Sequence, residues 1–246
     1  MLKDLASLSD SEIKSFLDSF DIVLCDCDGV VWKLNNPIPG VKDTLTKLRE
    51  LGKQIRFVSN NCSYRMEDFQ KKLNNCHFDV QLDNTAFPTL AIISYLKKIN
   101  FKKEIYLFGF PAMRQEFLKA GFKLAHSGPD RIEERIDELP SHFKDNEEVG
   151  AVIIDIDLNI NYIKLLKAMV YLQRSEVLFI TGGADTKVPM GFNIMLIGPR
   201  YFRNILEDFS DRKALAFGKP SKNFNDFIVE NFNIEDPSRT LFVGDR

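Results

Sequence analysis

The chain has 246 residues, which is enough for one large domain or two smaller ones. Its hydrophobic content of 44% and charged content of 28% are those of an ordinary globular protein. A formal net charge of −2 excludes a broad electrostatic attraction to nucleic acid or to an anionic membrane, so neither is expected as a partner.

The sequence shows no sign of export or of membrane insertion. No apolar run approaches the ~18 residues that a membrane-spanning helix needs, and the first seven residues are too polar for a signal peptide. The four cysteines lack the paired spacing of a structural zinc site, and two of them, Cys25 and Cys27, share one strand. Neither a disulfide framework nor a zinc site is therefore expected, and these features predict a cytoplasmic protein.

The first hundred residues predict a β-α-β unit. Ser9 and Glu12 have the spacing of a capping box, which opens a helix to about residue 19. A buried strand follows at 22–24, then a loop at 33–40, a helix from Val41 and a second strand at 54–58 that ends in Ser59. Because such a connection is right-handed, Ser59 is expected beside Asp26 at the same edge of the sheet.

From residue 102 the alternation of strand and helix restarts. Apolar runs at 104–108, 149–154 and 177–180 predict strands, and a stripe from Ile160 to Val170 predicts a helix facing a core. A strand at 214–217, a helix at 224–231 and a strand at 240–243 then resume the first domain. We therefore expect an α/β fold: a doubly wound, Rossmann-like parallel sheet at 1–101 and 208–246, with a smaller α/β cap inserted at 102–207.

The segment Asp26-Cys27-Asp28-Gly29 places two carboxylates one residue apart after the first strand. Side chains alternate along a strand, so the two aspartates share a side while the cysteines point the other way. Ligands bind at this carboxyl end of an open parallel sheet, and two acids there repel each other unless a cation or a shared proton lies between them. Taken alone, the pair is also compatible with a solvated turn that simply ends the strand.

Polar groups follow three further strands or turns, at Ser59-Asn60, Lys219 and Asp245. Phosphoryl transfer from a monoester calls for such a set. A carboxylate can attack phosphorus to form an aspartyl-phosphate, and Mg²⁺ prefers oxygen ligands. A hydroxyl, backbone N–H groups and a lysine would hold the phosphoryl oxygens as charge spreads over them.

Four segments resemble, in order and spacing, the signature motifs of the haloacid dehalogenase superfamily. They begin at Asp26, Val58, Gly218 and Gly244 and read DCDGVVW, VSNN, GKPS and GDR. Their flanks resemble the 4-nitrophenylphosphatase branch, which includes phosphoglycolate phosphatase and pyridoxal phosphate phosphatase. The resemblance covers nearly the whole chain and implies a magnesium-dependent phosphatase that acts on a small phosphorylated metabolite.

The resemblance also implies a role for each motif residue. Asp26 would be the nucleophile and a magnesium ligand, and Asp28 would be the general acid and base, binding magnesium through its backbone carbonyl. Asp245 would complete the metal site. The phosphate would be held by Ser59, Asn60 and Asn61, and Lys219 would neutralise it. A second aspartate that the family places shortly after its Gly-Asp-Arg motif has no counterpart in this sequence.

The cap is expected to decide which substrate is accepted. Asp157 and Asp185 match acidic positions that the family keeps there, and Asp185 is the predicted substrate-binding residue. The stretch after Asp185 lacks a tryptophan-histidine pair of pyridoxal phosphate phosphatase, so poor activity on pyridoxal 5′-phosphate is expected. A homodimer through the cap is also expected.

Three alternatives remain at this point. The chain could bind phosphorylated ligands without turnover, or transfer the phosphoryl group to an acceptor other than water. It could also be a catalytically impaired, truncated paralogue, because the strand at 240–243 would lie at the edge of an incomplete sheet with an uncovered apolar flank. In that case Asp245, next to the terminus, would be a poorly supported metal ligand.

Overall fold

The computed structural model describes residues 4–34, 36–76, 78, 81–128, 136–137, 139–191 and 194–245. The helices are α1 (Asp10–Asp18), α2 (Val41–Glu50), α3 (Met66–Asn75), α4 (Pro88–Lys98), α5 (Pro111–Lys119), α6 (Leu139–His142), α7 (Tyr162–Leu172), α8 (Pro199–Ser210) and α9 (Lys222–Asn231). The strands are β1 (Ile22–Cys25), β2 (Trp32–Lys33), β3 (Asn36–Pro37), β4 (Gln54–Val58), β5 (Thr85–Ala86), β6 (Glu104–Phe108), β7 (Lys123–Leu124), β8 (Val149–Ile154), β9 (Leu178–Thr181), β10 (Lys187–Gly191), β11 (Ile194–Ile197), β12 (Leu215–Ala216) and β13 (Thr240–Val243).

The chain divides into two compact units, each built from segments that are distant in sequence. The first unit comprises Met1–Ser59, Gln70–Ala86 and Ile228–Arg246, and the second comprises Asn60–Phe69 and Phe87–Phe227. These bounds differ from the predicted domain bounds of 1–101, 102–207 and 208–246. Strand β12 accounts for part of the difference, because it pairs with β9 in the second unit. The expectation that residues 214–217 return to the first sheet is therefore wrong.

The sheet of the first unit has the strand order β13-β1-β4-β5, and its strands are parallel. β1 lies inside this sheet, and its Val23 and Leu24 are buried, as expected for a parallel strand covered on both faces. β13 is the edge strand among the described residues, as predicted, and its Phe242 and Val243 are exposed. The residues that follow β1 and β13 therefore come out side by side at one edge of the sheet.

The sheet of the second unit is also parallel, in the order β12-β9-β8-β6-β7. Its central strand, β8, consists of six buried residues, most of them valine and isoleucine. β8 pairs with β6 on one side and with β9 on the other, and its side chains pack with those of α7 and α8 in one apolar core. Burial on both faces explains why the strand is apolar throughout instead of alternating.

Several elements of the second unit were not predicted, among them helix α8 and the strands β10 and β11. The helix α8 starts with Pro199 at its first turn, a position that proline suits, and is followed by Asp211 in the left-handed conformation, with φ of 52°. Strands β10 and β11 form an antiparallel hairpin. In the first unit, by contrast, the predicted capping box of α1 is present, with Ser9 and Glu12 bonded to each other's backbone.

Both sheets and their helices match the predicted α/β class. Within the described parts of the chain, no helix combines the length and the apolar character that crossing a bilayer requires.

Candidate active site

Asp26 and Asp28 lie where β1 ends in the first unit. The Asp26 N–H donates to the Val243 carbonyl at 2.8 Å, so the first aspartate still belongs to the ladder with β13. The Cys27 N–H donates to Asp26 Oδ1 at 2.7 Å, which fixes the orientation of that carboxylate. Cys27 is fully buried, whereas Asp26 is half-buried and Asp28 is exposed. The predicted alternation is therefore observed, and both carboxylates lie on the more open side.

The third predicted acid, Asp245, lies against the turn that follows Asp28. Gly29 has a φ of 90°, and a Cβ built on it would overlap the Asp245 carboxylate. The glycine is thus needed twice, for a left-handed backbone and for the close approach of an acid from the neighbouring strand. The turn is held by backbone bonds, including one from the Gly29 N–H to the Trp32 carbonyl at 2.9 Å.

This arrangement fits the magnesium ion that the sequence predicts. Mg²⁺ takes oxygen ligands and usually keeps several waters, so two carboxylates and a carbonyl suffice. Asp26 and Asp245 would supply the carboxylates, and Asp28 would supply its backbone carbonyl. Among the described residues no three Asp, Glu, His or Cys side chains form a ready-made metal cluster. The space left by Gly29 is what lets Asp245 approach.

Ser59 ends β4, the strand on the other side of β1. It is buried, and its N–H donates to the Ala86 carbonyl at 3.0 Å. Helix α3 begins only at Met66, so Ser59 is not the N-cap of that helix.

The second unit joins three other predicted residues, Asn60, Lys219 and Asp185. The Asn60 side chain makes two hydrogen bonds to the backbone of Lys219. Its Oδ1 accepts from the Lys219 N–H at 2.7 Å, and its Nδ2 donates to the Lys219 carbonyl at 3.3 Å. The same Nδ2 lies 3.4 Å from Asp185 Oδ2. Asn60 therefore acts here through its side chain, which sequence reasoning did not predict.

Asn61, also predicted to bind phosphate, uses its side-chain oxygen locally. Asn61 Oδ1 accepts from the Ser63 N–H at 2.9 Å and from the Ser63 hydroxyl. This bond shapes the turn that leads towards α3. The structure thus shows a turn-forming role for the Asn61 carbonyl oxygen, and its predicted part in phosphate binding stays a prediction.

One buried acid of the second unit was missed by sequence reasoning. Asp155 follows β8 directly, and its carboxylate accepts from the Gly183 N–H at 2.8 Å and from the Ile156 N–H at 2.7 Å. Burial raises its pKa, although both N–H bonds act in the opposite direction. A Cβ on Gly182 would overlap the same carboxylate. Asp155 therefore supports the Gly182–Gly183 loop that leads to Asp185, and its place after a wholly apolar strand was the available signal.

Two neighbours complete this cluster. Cys62 is buried beside Asp155, and burial raises the pKa of its thiol well above the ordinary value. Asp157, which matches an acidic cap position of the predicted family, accepts from Lys164 Nζ at 2.7 Å and from the Asn159 N–H at 2.8 Å. Both members of the Asp157–Lys164 ion pair are buried. Asp157 is thus engaged in holding the fold.

Comparison with known proteins identifies relatives along the whole chain. The family model described as haloacid dehalogenase-like hydrolase matches residues 23–123. The 4-nitrophenylphosphatase of Schizosaccharomyces pombe is 32% identical over 252 residues, which cover 100% of this chain and 83% of the relative. Phosphoglycolate phosphatase 2 of Arabidopsis thaliana is 33% identical over 244 residues, covering 97% of this chain and 80% of the relative.

Solved structures confirm the fold. The crystal structure of a 4-nitrophenylphosphatase from Thermotoga maritima superposes with a TM-score of 0.76 at 24% identity, covering 94% of this chain and 80% of that one. At this level of identity the likeness concerns the fold alone. The family rests on the sequence relatives: the chain belongs to the haloacid dehalogenase-like hydrolases and is a phosphatase of that family, as its motifs predict.

Proposed function

We propose that the chain hydrolyses the phosphate monoester of a small metabolite, with Mg²⁺ as cofactor and an aspartyl-phosphate as intermediate. The observation that carries the proposal is the carboxylate set of the first unit. There, Asp26 and Asp28 end an interior parallel strand, and Asp245 of the adjacent strand lies against Gly29. Such a set provides a nucleophile, a proton carrier and oxygen ligands for a hard cation.

In the first half-reaction, a carboxylate oxygen of Asp26 attacks phosphorus, and the bond between phosphorus and the ester oxygen breaks. The Cys27 N–H keeps the Asp26 carboxylate oriented for this attack. Asp28 gives its proton to the departing oxygen, so the alcohol leaves neutral. Magnesium, when bound, would balance the charge of the phosphoryl oxygens and of the acids that face them.

In the second half-reaction, water attacks the phosphorus of the aspartyl-phosphate. Asp28, now ionised, takes a proton from that water, and the bond between phosphorus and Asp26 breaks. Orthophosphate is released, and both aspartates return to their starting forms. We assign phosphate binding to Ser59, Asn60 and Lys219 because they stand in motifs that follow the family's order along the sequence. Asp185 is assigned to substrate binding because it matches an acidic position of the family.

The substrate proposal is a small phosphorylated metabolite. The named relatives include phosphatases of 4-nitrophenyl phosphate and of phosphoglycolate, and a rat relative that is 29% identical is named glycerol-3-phosphate phosphatase. Phosphoglycolate and glycerol 3-phosphate therefore belong in the first panel, with pyridoxal 5′-phosphate as the expected poor substrate. A cytoplasmic location and a homodimer through the cap also remain proposals.

The deciding experiment replaces the nucleophile. Asp26→Asn should lower kcat for 4-nitrophenyl phosphate at least about a thousandfold, because asparagine cannot form the aspartyl-phosphate. Turnover by the unaltered chain should require added Mg²⁺ and should cease with EDTA. Asp21→Asn is the matched control, since Asp21 is an exposed carboxylate directly before the same strand.

The outcome separates the proposal from its alternatives. A folded Asp26→Asn chain that keeps more than a trace of activity would show the mechanism to be wrong. Orthophosphate binding without turnover by the unaltered chain would indicate a binding protein, and a rate that depends on added alcohol would indicate a transferase.

A further inference from the structure

Trp32 lies at the end of the turn that carries the two predicted catalytic aspartates. It is fully buried, and its indole Nε1–H donates to Asp28 Oδ1 at 2.9 Å. The two backbones are also close, since residues 28 and 32 form an isolated bridge. A buried indole thus holds a carboxylate that is otherwise exposed to solvent.

A cation lies over the face of the same ring. Lys72 Nζ of helix α3 is 4.3 Å from the centroid of Trp32, within the range of a cation–π interaction. The ring therefore contacts a cation at its face and the Asp28 carboxyl at its N–H edge. The cation draws electron density from the ring, which strengthens the N–H as a donor, and it holds the ring in place.

The chemistry of indole makes this contact directional. The indole Nε1–H is a donor only. It can therefore bond to a lone pair of an Asp28 oxygen, but it cannot accept a proton from Asp28. The contact occupies Oδ1 as an acceptor and fixes the rotamer of Asp28, which leaves Oδ2 as the oxygen that faces proton exchange.

We propose that Trp32 is a positioning residue for Asp28, and that Lys72 supports it through the ring. The indole orients the Asp28 carboxyl so that Oδ2 gives the proton to the leaving group and later takes one from water. This inference rests on the proposed function, because it assigns Asp28 the role of proton carrier. It adds the residues that hold that carrier in position.

The test exploits the fact that Trp32 is the single tryptophan of the chain. Replacing tryptophan with 3-benzothienylalanine exchanges the N–H for sulfur and keeps the size of the ring. We expect kcat for 4-nitrophenyl phosphate to fall about tenfold to a hundredfold with KM unchanged, since one bond to a charged group is lost. A fluorotryptophan, which retains the N–H, should restore kcat to near its original value. Lys72→Met should lower kcat in the same direction by a smaller factor.

A second measurement does not depend on turnover. The chain has one indole ¹⁵N–¹H resonance, and Asp28→Asn should shift it, because the carboxyl that accepts from the indole is replaced by an amide. Asp26→Asn should shift it much less, since Asp26 does not accept from the indole. Absence of turnover in the unaltered chain would refute the proposed function while this resonance still reports the contact. An unmoved resonance in Asp28→Asn, or unchanged kcat with benzothienylalanine, would overturn the positioning role.

Discussion

The two sheets of the molecule carry the same short motif at the same place, an aspartate pair one residue apart after an interior strand. In the first unit the pair begins at Asp26 after β1, and in the second it begins at Asp155 after β8. Both aspartates are held alike: their N–H groups donate to the neighbouring strand at 2.8 and 3.0 Å, and the next residue's N–H donates to each Oδ1 at 2.7 Å. The local backbone therefore does not distinguish them.

What distinguishes the pairs is what surrounds their carboxylates. Asp155 and Asp157 are buried, and each accepts at least two hydrogen bonds from its own unit. Asp26 is half-buried and Asp28 is exposed, and the acid that approaches them, Asp245, adds negative charge. Buried acids that are fully satisfied stabilise a fold, whereas open acids that repel one another call for a cation and a substrate. The same motif is thus buried and hydrogen-bonded within the fold in one sheet, and in the other it is open and carries the residues that we propose to be catalytic.

The largest effect on stability is expected from the buried ion pair. Lys164→Met leaves Asp157 buried without its cation and should lower the free energy of unfolding by about 3–5 kcal/mol. Urea denaturation measures the loss. The double variant Asp157→Asn/Lys164→Met should recover most of it, because no charge then remains buried. A single variant as stable as the original chain would show that Asp157 is solvated after all.

A smaller effect, with a definite pH dependence, is expected at Asp155. Its pKa in the folded chain is raised above the ordinary 3.8, mainly by burial. The stability that this acid contributes is therefore greatest below that value, where it is protonated, and is lost as the pH rises through the folded-state pKa. Relative to Asp155→Asn, the unaltered chain should therefore lose unfolding free energy over that interval.

Urea titrations of both chains from mildly acidic to neutral pH would measure this difference. Asp155→Asn should also leave phosphatase activity far less affected than Asp26→Asn, which makes the two substitutions a matched pair. A difference in unfolding free energy that is flat with pH would contradict the assignment of a raised pKa to Asp155.

The smallest effect is expected at Asp21, an exposed acid whose pKa is shifted in the opposite direction to that of Asp155. Arg239 donates to both of its carboxylate oxygens, and this hydrogen bonding lowers the pKa of Asp21. The stability it provides is present above the ordinary pKa and is lost as the pH falls through the lowered one. Arg239→Gln should shift the urea midpoint slightly at low ionic strength and not at high salt, because exposed ion pairs are screened. A shift that persists at high salt would mean that Arg239 acts by packing.

Much of the fold could be predicted because strands of a parallel sheet are recognisable in the sequence as short apolar runs. Strands β6, β8 and β13 have the predicted bounds, since each is a short apolar run in a parallel sheet, and of these β13 is the partly exposed edge strand. The apolar stripe predicted for helix α7 is only partly in the core. Ile163 is buried and Ile160 packs against the core, Leu166 and Val170 are half-buried, and the further buried residues of the helix include Ala168, Met169 and Leu172. This helix packs on both the sheet and α8, so its apolar periodicity does not select one face.

Some contacts of the candidate site could be predicted from the sequence and others could not. The acids at Asp26, Asp28 and Asp245 were predictable, because strand ends in a parallel sheet meet at one edge. The hydrogen bonds between the Asn60 side chain and Lys219 were not predictable, since they join residues 159 positions apart. Nor was the burial of Asp155, which depends on the loop that closes over it. The predicted domain bounds stay predictions, apart from the strand at 214–217, which pairs with β9 in the second unit.

The four cysteines have a practical consequence for studying the molecule. All of them are buried, and burial raises the pKa of Cys25 to about 12 and that of Cys62 well above its ordinary value. Thiol reagents attack the thiolate, so maleimide and oxidants should spare the native chain and modify it only when it unfolds. A cysteine introduced at an exposed position such as His126 or Leu118 would then be the one reactive group. Fluorophores or spin labels can thus be attached at chosen points without first removing a native thiol.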